Sequence, residues 1–388
     1  MLDAHAWVCC DARMIQATAT IRCAACILFL NGCAAPATSH DESRTASSAS
    51  SPDNLSAATA IAHTRPLFDV MTFSQWQVVG GDARFELHAL ANPQESAAEL
   101  TLVGRGPIPR NGFLVSPREL GDFTLTVDVR IGSAENPRAE AMNSGIQIRS
   151  RRMNVGQGNA AQWTIGGLQI EIDPSSRAWS GGVYEECGRG WLASLAENEA
   201  ASAAFVLGGW NRYEIECIGP RIRTKVNGVA AAQWFDATVA GVLAFQVHGG
   251  ASCEVAFKTP MLIEHGMHEW RALADEVSGS SGERCAWQST IASTTRGVRL
   301  EIEGAARVDL LADDGARLAS LSTSPEPKIS AENKAKPSIV ELLWMEGEGA
   351  ALLDGVRVAQ FACVTVPSRV RVLGESCAVL RAESLQRK

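Results

Sequence analysis

The sequence predicts an all-β protein in which antiparallel sheets pack face to face. Short runs of alternating apolar and polar residues, such as residues 123–131, follow one another between turn residues. The Asn227-Gly228 pair is typical of a hairpin turn because both residues tolerate positive φ. No long amphipathic helix interrupts the series. Many short strands without helices between them favour packed antiparallel sheets.

The predicted strands of the main domain extend from Leu67 to about His265. Residues 192–204 have room for one or two helical turns only. The chain is rich in Val, Ile and Trp and poor in Tyr, a composition that favours β-structure. After residues 123–131, the predicted strands are residues 145–149, 168–173, 213–218, 222–226, 242–248 and 255–263.

Length and charge exclude several classes of protein. The chain has 388 residues and a net charge of −8, so a nucleic-acid-binding surface is not expected. No apolar run reaches the ~18–20 residues that a membrane-spanning helix needs. This argues against a protein with several membrane spans. The length is typical of two domains with extensions.

Residues 1–33 are predicted to be an export signal. Arg22 provides a positive flank, and residues 23–30 form an apolar core that is too short to span a membrane. Met14 is an alternative to Met1 as the start residue. The segment ends at Cys33, directly after Gly32.

Cys33 is the candidate lipidation site. Leu30, Gly32 and Cys33 together resemble a bacterial lipobox, in which the cysteine is diacylated and becomes the new N-terminus. The alternative is an ordinary secretory signal cleaved nearby. Residues 34–64 are rich in Ala, Ser and Thr and are predicted to be a flexible linker. Two acyl chains hold a protein firmly at a membrane. The predicted location is therefore the cell envelope, in the periplasm or at the outer membrane, with the lipid anchor as the only membrane contact.

The remaining cysteines are compatible with export. None of them forms a CxxC pair, so a structural zinc site is not expected. Their pairing cannot be deduced from the sequence, and both disulfides and small buried thiols stay open as interpretations. These six residues are Cys187, Cys217, Cys253, Cys285, Cys363 and Cys377.

Three predicted strands carry polar side chains on the face opposite their apolar residues. Alternate residues of a strand share a face and lie about 6.6–6.8 Å apart. If the three strands are neighbours, their polar faces form one groove with carboxylates, amides, a guanidinium and an imidazole. The alternative is an ordinary solvated sheet face. The polar positions are Gln147, Arg149, Gln169, Glu171, Asp173, Gln246 and His248.

Such a groove suits a polyhydroxylated ligand. Trp179, Tyr184 and Trp191 follow the acidic strand and are available to cover the apolar faces of a sugar. The predicted ligand is therefore a carbohydrate.

Several short motifs succeed one another along this region. They are Leu67-Phe68-Asp69, Asn143-Ser144-Gly145-Ile146, Gln169-x-Glu171-x-Asp173, Gly181-Gly182-Val183-Tyr184, Gly209-Trp210-Asn211 and residues 241–248. In kind and order they resemble the 3-keto-disaccharide hydrolase domain family, a concanavalin A-like jelly-roll sandwich common in exported bacterial proteins. The resemblance places this domain at residues 65–266. Many members read Glu-x-Gln-x-x-Asp at the acidic strand, where this chain has Leu168 and Ile170 in the first two places.

The resemblance implies cleavage of glycosides whose sugar is oxidised at C3. The C3 ketone acidifies the C2 proton, so a base can remove it, the C1 substituent can leave, and water can add later. Such a site needs a base poised near working pH and donors for the enolate oxygen. The sequence thus predicts a hydrolase or lyase of 3-keto-glycosidic bonds.

The roles expected from this resemblance are as follows. Glu171 or His248 is the base, and Asp173 orients it. Arg149 and Gln246 stabilise the oxyanion. An alternative has Glu171, Asp173 and His248 hold a divalent metal. The residues expected to bind the substrate are Asn143, Arg149, Gln169, Tyr184, Trp191 and Gln246.

A second function is compatible with the same fold, because a fold does not determine a function. It is a non-catalytic carbohydrate-binding lipoprotein of the cell surface. An endoglucanase of this fold is less well supported, since no Glu-x-Asp-x-x-Glu run supplies a second catalytic acid.

Residues 283–388 are predicted to form a smaller β-rich accessory domain, after a linker at residues 267–282. Residues 353–360 resemble residues 226–233, and residues 374–379 resemble residues 250–255. The interpretations are a shortened, degenerate second sandwich or a general similarity between hairpins. Because the copy lacks the Gln-Glu-Asp strand and a counterpart of His248, it is expected to pack or bind rather than catalyse.

Overall fold

A computed structural model describes most of the chain after residue 63. The predicted signal, the lipidation site Cys33 and nearly all of the linker at residues 34–64 lie outside the described residues. The described residues are 64–90, 99–132, 142–156, 162–250, 254–273, 285–323, 328–329, 335–374 and 377–388.

The N-terminal sandwich is built almost entirely of strands. Its described residues also include a 3-10 turn, Phe73–Gln75, and a short helix, α1 (Glu199–Ser202). Among the described residues, no helix is long and apolar enough to cross a membrane. The strands are β1 (Arg65–Pro66), β2 (Gln77–Gly80), β3 (Arg84–Leu90), β4 (Glu99–Arg105), β5 (Gly112–Leu120), β6 (Asp122–Ile131), β7 (Ser144–Val155), β8 (Gln162–Ile172), β9 (Val183–Glu186), β10 (Gly190–Ala193), β11 (Asn211–Ile218), β12 (Arg221–Val226), β13 (Val229–Phe235), β14 (Gly241–Val247) and β15 (Glu254–Gly266).

These strands form two antiparallel sheets. The front sheet has the order β10-β9-β8-β7-β14-β5-β2. The back sheet has the order β13-β12-β11-β6-β15-β4-β3, with β1 beside β15. The predicted concanavalin A-like jelly-roll sandwich is confirmed, and the three strands with polar faces are neighbours in the front sheet.

The core lies between the two sheets and follows the period-two alternation of the strands. Ile146 and Ile148 of β7 and Ile170 of β8 point inwards and are fully buried. They meet inward residues of the back sheet such as Val127 and Phe257. Since successive side chains of a strand point to opposite faces, the polar residues between them lie on the outer face of the front sheet.

A bulge bends the β7–β8 hairpin over that outer face. Ile148 pairs with Leu168 but Arg151 pairs with Gly166, so two residues of β7 face Gly167 alone. Gly167 has a φ of 131°, which a glycine adopts without strain. Beyond the bend, Ile165 packs on residues of the outer face to form a second small core. Its other members are Val79, Phe113, Val115 and Ala244.

The C-terminal region is a smaller β-sandwich. Its sheets have the orders β16-β27-β18-β23-β24-β25 and β17-β26-β19-β20, and β21 pairs with β22. The strands are β16 (His268–Ala272), β17 (Cys285–Thr290), β18 (Gly297–Glu303), β19 (Arg307–Leu311), β20 (Arg317–Ser322), β21 (Lys328–Ile329), β22 (Ala335–Lys336), β23 (Ser338–Met345), β24 (Gly347–Leu353), β25 (Val356–Cys363), β26 (Arg369–Leu373) and β27 (Ala378–Arg387).

This second sandwich begins before the predicted boundary at residue 283. Strand β16 lies within the predicted linker but pairs with β27. The two hairpins that resemble each other in sequence also share turn geometry. Asn227 and Gly228 have φ values of 50° and 80°, and Asp354 and Gly355 have values of 53° and 76°. An Asn-Gly or Asp-Gly turn produces this geometry in any hairpin, so it does not decide whether the sandwich arose by duplication.

The two sandwiches are packed against each other. Phe235 of the first forms a small buried cluster with Leu343, Ala350 and Leu352 of the second. The Arg221 guanidinium pairs with Glu346 at 2.8 Å across the same interface.

Candidate functional site

The candidate site is on the outer face of the front sheet, where β7, β8 and β9 lie side by side. Gln169 on β8 pairs with Gln147 on β7 and with Tyr184 on β9. Two residues further along β8, Glu171 pairs with Gly145. Register therefore brings the predicted acidic strand and the predicted amide residues onto one surface.

A chain of hydrogen bonds runs along this surface and ends at Glu171. The Ser150 hydroxyl donates to Gln147 Oε1 at 2.9 Å, and Gln147 Nε2 donates to Gln169 Oε1 at 2.5 Å. Gln169 Nε2 then donates to Glu171 Oε2 at 2.8 Å. Asn143 Nδ2 donates to the other oxygen, Oε1, at 2.6 Å. In each of these hydrogen bonds the donor lies farther along the chain from the Glu171 carboxyl than the acceptor does. The dipoles of the bonded groups therefore reinforce one another.

Gly145 provides the space for this arrangement. A Cβ atom at this position would lie 2.3 Å from Gln169 Cδ. The Gln169 side chain therefore crosses over the backbone of β7 at the one residue of this strand segment that has no side chain. A larger residue would push Gln169 away from Glu171.

Burial sets the protonation behaviour of Glu171. Its side chain is 4% exposed. Desolvation raises the pKa of this carboxyl to about 7, against the lowering effect of the hydrogen bonds from Gln169 and Asn143. A group with this pKa exchanges protons near neutral pH, which is what a general base requires.

Asp173 organises the loop that follows β8. Its Oδ1 atom accepts hydrogen bonds from the backbone N–H and the hydroxyl of Ser175. Its Oδ2 atom accepts one from Arg177 Nε at 2.7 Å. Asp173 thus holds Arg177, whose Nη2 atom lies 3.9 Å from Glu171 Oε1. The Arg177 side chain is 41% exposed, so its guanidinium is open to a ligand.

Three aromatic rings form a wall beside these charges. The Trp191 ring lies 4.7 Å from that of Trp179 and 5.3 Å from that of Tyr184, both edge to face. The Arg177 guanidinium lies 4.9 Å from the centre of the Trp191 ring. We call Trp179, Tyr184 and Trp191 the aromatic wall. Each ring is half-buried.

Gln246 on β14 is a buried side chain that has no hydrogen-bond partner among the described residues. Its neighbour Phe245 pairs with Ile146, so Gln246 lies beside Gly145 on the opposite side from Glu171. In the described part of the chain, both its amide nitrogen and its amide oxygen lack a hydrogen-bond partner. A buried amide without partners costs free energy, so this group is available to a polar ligand or an ordered water.

His248 lies just beyond the end of β14. Its Nδ1 atom is 2.7 Å from the carbonyl oxygen of Gly249, and burial lowers its pKa. The ring is therefore neutral near pH 7. Strand β7 separates β14 from β8, which puts their backbones about 10 Å apart at ordinary strand spacing. His248 and Glu171 thus belong to strands that are not neighbours in the sheet.

The region that holds this site matches a known protein family. Residues 63–262 match the family model described as a 3-keto-alpha-glucoside-1,2-lyase-like domain. The chain belongs to this family. The lyase-like domain comprises the N-terminal sandwich, close to the predicted limits of residues 65–266. No curated protein sequence matches the chain.

Solved structures with similar folds include several carbohydrate-related proteins. Carbohydrate-binding module CBM66 from Bacillus subtilis has a TM-score of 0.30 and 12% identity, over 49% of this chain and 96% of that one. A putative glycosyl hydrolase from Parabacteroides distasonis ATCC 8503 has a TM-score of 0.29 and 16% identity, over 52% and 99%. The β-glucanase of Bacillus licheniformis has a TM-score of 0.27 and 13% identity, over 49% and 91%. At these values the likeness carries no information on activity.

One predicted site residue of the lyase-like domain lies elsewhere. The prediction that Arg149 lies on the outer face with Gln147 is wrong, because the bulge inserts an extra residue and turns the side chain away. Arg149 has a φ of 47° and is fully buried at the end of the sandwich. Its guanidinium donates to the carbonyl oxygens of Gly121 and Gly219 and to Asp122. It holds loops together and does not face Glu171.

The structure also does not support the alternative in which Glu171, Asp173 and His248 hold a divalent metal. In the described part of the chain, no three His, Cys, Asp or Glu side chains are close enough to hold a metal ion. The Glu171 oxygens accept from amides, Asp173 is bound to Ser175 and Arg177, and His248 lies two strands from Glu171. The donor set of Glu171, Asp173 and His248 therefore does not fit one metal.

Two groups at the site were not predicted from the sequence. Arg177 is brought to Glu171 only by the loop that Asp173 organises, and no strand pattern signals it. Glu186 extends the outer face beyond Tyr184, and burial raises its pKa. Its Oε1 atom accepts from Asn111 Nδ2 at 3.2 Å, while Asn111 Oδ1 accepts from the Gly249 N–H. The strand alternation of Tyr184 and Glu186 was the available signal.

The thiols have a separate, structural position. Cys217 and Cys363 are free and buried, and burial raises the pKa of the Cys217 thiol to about 12. For these two residues the buried-thiol interpretation is confirmed.

Proposed function

We propose that this chain cleaves 3-keto-glycosides by elimination across the C1–C2 bond of the oxidised sugar. The observation that carries the proposal is the buried Glu171 carboxyl, with its pKa raised to about 7, next to the exposed Arg177 guanidinium. It is combined with family membership and with an aromatic wall suited to a sugar ring.

In the first step, a Glu171 oxygen takes the C2 proton. Each carboxylate oxygen accepts one amide bond and keeps a second lone pair for this purpose. The C2–H electron pair moves towards the C3 carbonyl and gives an enolate. Arg177, and the Gln246 amide where the substrate reaches it, are the donors for the enolate oxygen.

In the second step, the enolate expels the C1 substituent. The C3 carbonyl re-forms, a double bond forms between C1 and C2, and the C1–O bond breaks. The proton that Glu171 removed from C2 returns through solvent to the leaving oxygen, which becomes an alcohol, and Glu171 is again ionised. The other product is a 2-hydroxy-3-keto-glycal, to which water can add later across C1 and C2. His248, neutral near pH 7, is the alternative base.

The test uses the purified chain with a 3-keto-glucoside and with its unoxidised parent, each with and without a chelator. We expect only the oxidised substrate to be consumed, with release of the alcohol and appearance of ultraviolet absorbance from the conjugated product. Cleavage of the unoxidised parent at the same rate would contradict the proposal.

The aromatic wall also supports the second candidate, a carbohydrate-binding protein without activity. The same experiment separates the two. Binding of the keto-sugar by calorimetry without any turnover would favour the binding protein and contradict the enzyme.

We further propose that the chain is exported and anchored at the cell envelope through a diacylated Cys33. The support is the lipobox-like sequence around Cys33 and the polar linker that follows. Mass spectrometry of the N-terminal peptide from a bacterial host tests this. A mature chain that starts elsewhere, without acyl groups, would contradict it.

A further inference from the structure

Two of the three rings of the aromatic wall are carried by a short hairpin at the edge of the front sheet. Tyr184 is on β9 and Trp191 is on β10, and the two residues pair directly. Among the described strands, β10 is at the end of that sheet, with β9 as its neighbour. An edge hairpin of this length depends on contacts outside the sheet to keep its position.

One side chain in the turn of this hairpin supplies such contacts. Arg189 binds Glu185 of its own hairpin through both its backbone N–H and Nε. Its Nη2 atom donates to Asp236 Oδ2 at 2.7 Å. Its Nη1 atom donates to the carbonyl oxygen of Gly355 at 2.7 Å. Gly355 belongs to the tight turn between β24 and β25 of the C-terminal sandwich.

Outside its own hairpin, Arg189 donates to Asp236 and to the Gly355 carbonyl. Asp236 is buried and also accepts from Trp234 Nε1 and from the Thr238 N–H. Its pKa is lowered, because Arg189 and these donors outweigh the effect of burial. Gly355 lies in a two-residue turn with a φ of 76°. The Arg357 guanidinium, which follows that turn, stacks on the Trp234 ring at 4.4 Å.

We propose that Arg189 is a positioning residue through which the C-terminal sandwich holds the aromatic wall in place. The bonds from one planar guanidinium to three separate elements leave the hairpin a single orientation. The accessory sandwich is then a brace for the site and not a freely moving module. The link from the wall to sugar binding rests on the proposed function, whereas the link from Arg189 to the hairpin does not.

The test uses the full chain and a double variant, Arg189→Met with Asp236→Asn. Changing both residues avoids leaving a buried carboxylate without its cation, which would destabilise the whole fold. Arg223→Met is the matched control, because Arg223 pairs with Glu348 across the same interface and bonds to Gln233 of β13. Arg189→Lys keeps the charge beside Asp236 but cannot donate to Glu185, Asp236 and Gly355 together.

The first readout is amide hydrogen exchange in residues 183–193. We expect exchange about tenfold faster in the double variant, an intermediate value in Arg189→Lys, and the wild-type value in Arg223→Met. Unchanged exchange in the double variant, or equal acceleration in the control, would overturn the proposal. This readout is independent of any activity.

The second readout is kinetic. We expect KM for the 3-keto-glucoside to rise about tenfold in the double variant while kcat changes by less than about twofold. Trp191→Ala should cost less in the double variant than in the wild type, because the wall is already displaced. An equal cost in both backgrounds would contradict the role of Arg189. If neither the wild type nor the variants turn over the 3-keto-glucoside, the proposed function is wrong. Hydrogen exchange then still tests whether Arg189 holds the hairpin in place.

Discussion

Gln169 donates its amide hydrogen to Glu171 across 2.8 Å, two residues along the same strand. This bond is the last link of a chain that begins at Ser150 and passes through Gln147. It joins the Glu171 carboxyl, whose pKa is raised by burial, to a set of buried amides. The pKa of Glu171 therefore depends on amide and hydroxyl groups that do not themselves titrate.

Glu171→Gln should abolish most of the activity. The amide cannot accept the C2 proton, and general-base catalysis contributes about 10²–10⁴-fold to a rate. We expect kcat on a 3-keto-glucoside to fall within that range while the folded state is retained. His248→Asn, measured in parallel, should reduce kcat much less. The reverse order of effects would assign the base to His248.

The rate of the wild-type protein should rise with pH through the ionisation of Glu171. Only the ionised carboxyl is a base, and its pKa is raised to about 7 by burial. We expect kcat/KM to increase tenfold per pH unit below about pH 7 and to level off above it. A profile that is flat between pH 5 and pH 8 would contradict a role for this group.

The free energy of unfolding should depend on the same ionisation, but it should fall as the pH rises. The folded state raises the pKa of Glu171 above its ordinary value of 4.5, so the folded state binds the proton more tightly than the unfolded state. The destabilisation that comes from burying the ionised carboxyl is absent below about pH 4.5 and complete above about pH 7. At 1.36 kcal/mol per pKa unit it amounts to about 3 kcal/mol.

Glu171→Gln removes this destabilisation. Urea unfolding of the variant and the wild type at pH 5 and pH 8 should show the variant gaining relative stability at the higher pH. The gain counts only as a difference between the two pH values, since the new amide also alters hydrogen bonds with Asn143 and Gln169. A difference in unfolding free energy that does not change with pH would show that burial does not perturb this carboxyl.

Gly145→Ala should disconnect Gln169 from Glu171. The new Cβ would lie 2.3 Å from Gln169 Cδ, and overpacking of this kind costs about 1–3 kcal/mol. We expect lower stability and lower kcat. The double variant Gly145→Ala with Gln169→Ala removes the clash and should recover stability but not activity. Recovery of both would show that Gln169 has no part in the reaction.

Arg149 and Arg177 should respond differently to the same change. Arg149→Met leaves buried Asp122 without the guanidinium that pairs with it, and breaking a buried pair costs about 3–5 kcal/mol. Arg177→Met leaves Asp173 its bonds from Ser175 and should lower kcat/KM with a much smaller loss of stability. Thermal unfolding and steady-state kinetics on both variants test this. A larger kinetic effect at Arg149 than at Arg177 would reverse the assignment.

Much of the fold could be predicted because it depends on local patterns. The alternation in residues 168–173 puts Ile170 in the core and Glu171 on the outer face wherever the strand pairs. The turn at Asn227-Gly228 forms because these residues accept positive φ. The order of the motifs was enough to predict the family, and the family model confirms it.

The site could be predicted only in part, because its decisive contacts are between distant segments. The sequence by itself determined that Gln169, Glu171 and Gln246 lie on polar faces, since side chains alternate along a strand. Only the tertiary structure decided that a bulge turns Arg149 inwards, that the loop at Asp173 brings Arg177 to Glu171, and that a C-terminal turn meets Arg189. Bulges, loops and domain contacts depend on packing between segments, and no periodicity along one segment encodes them.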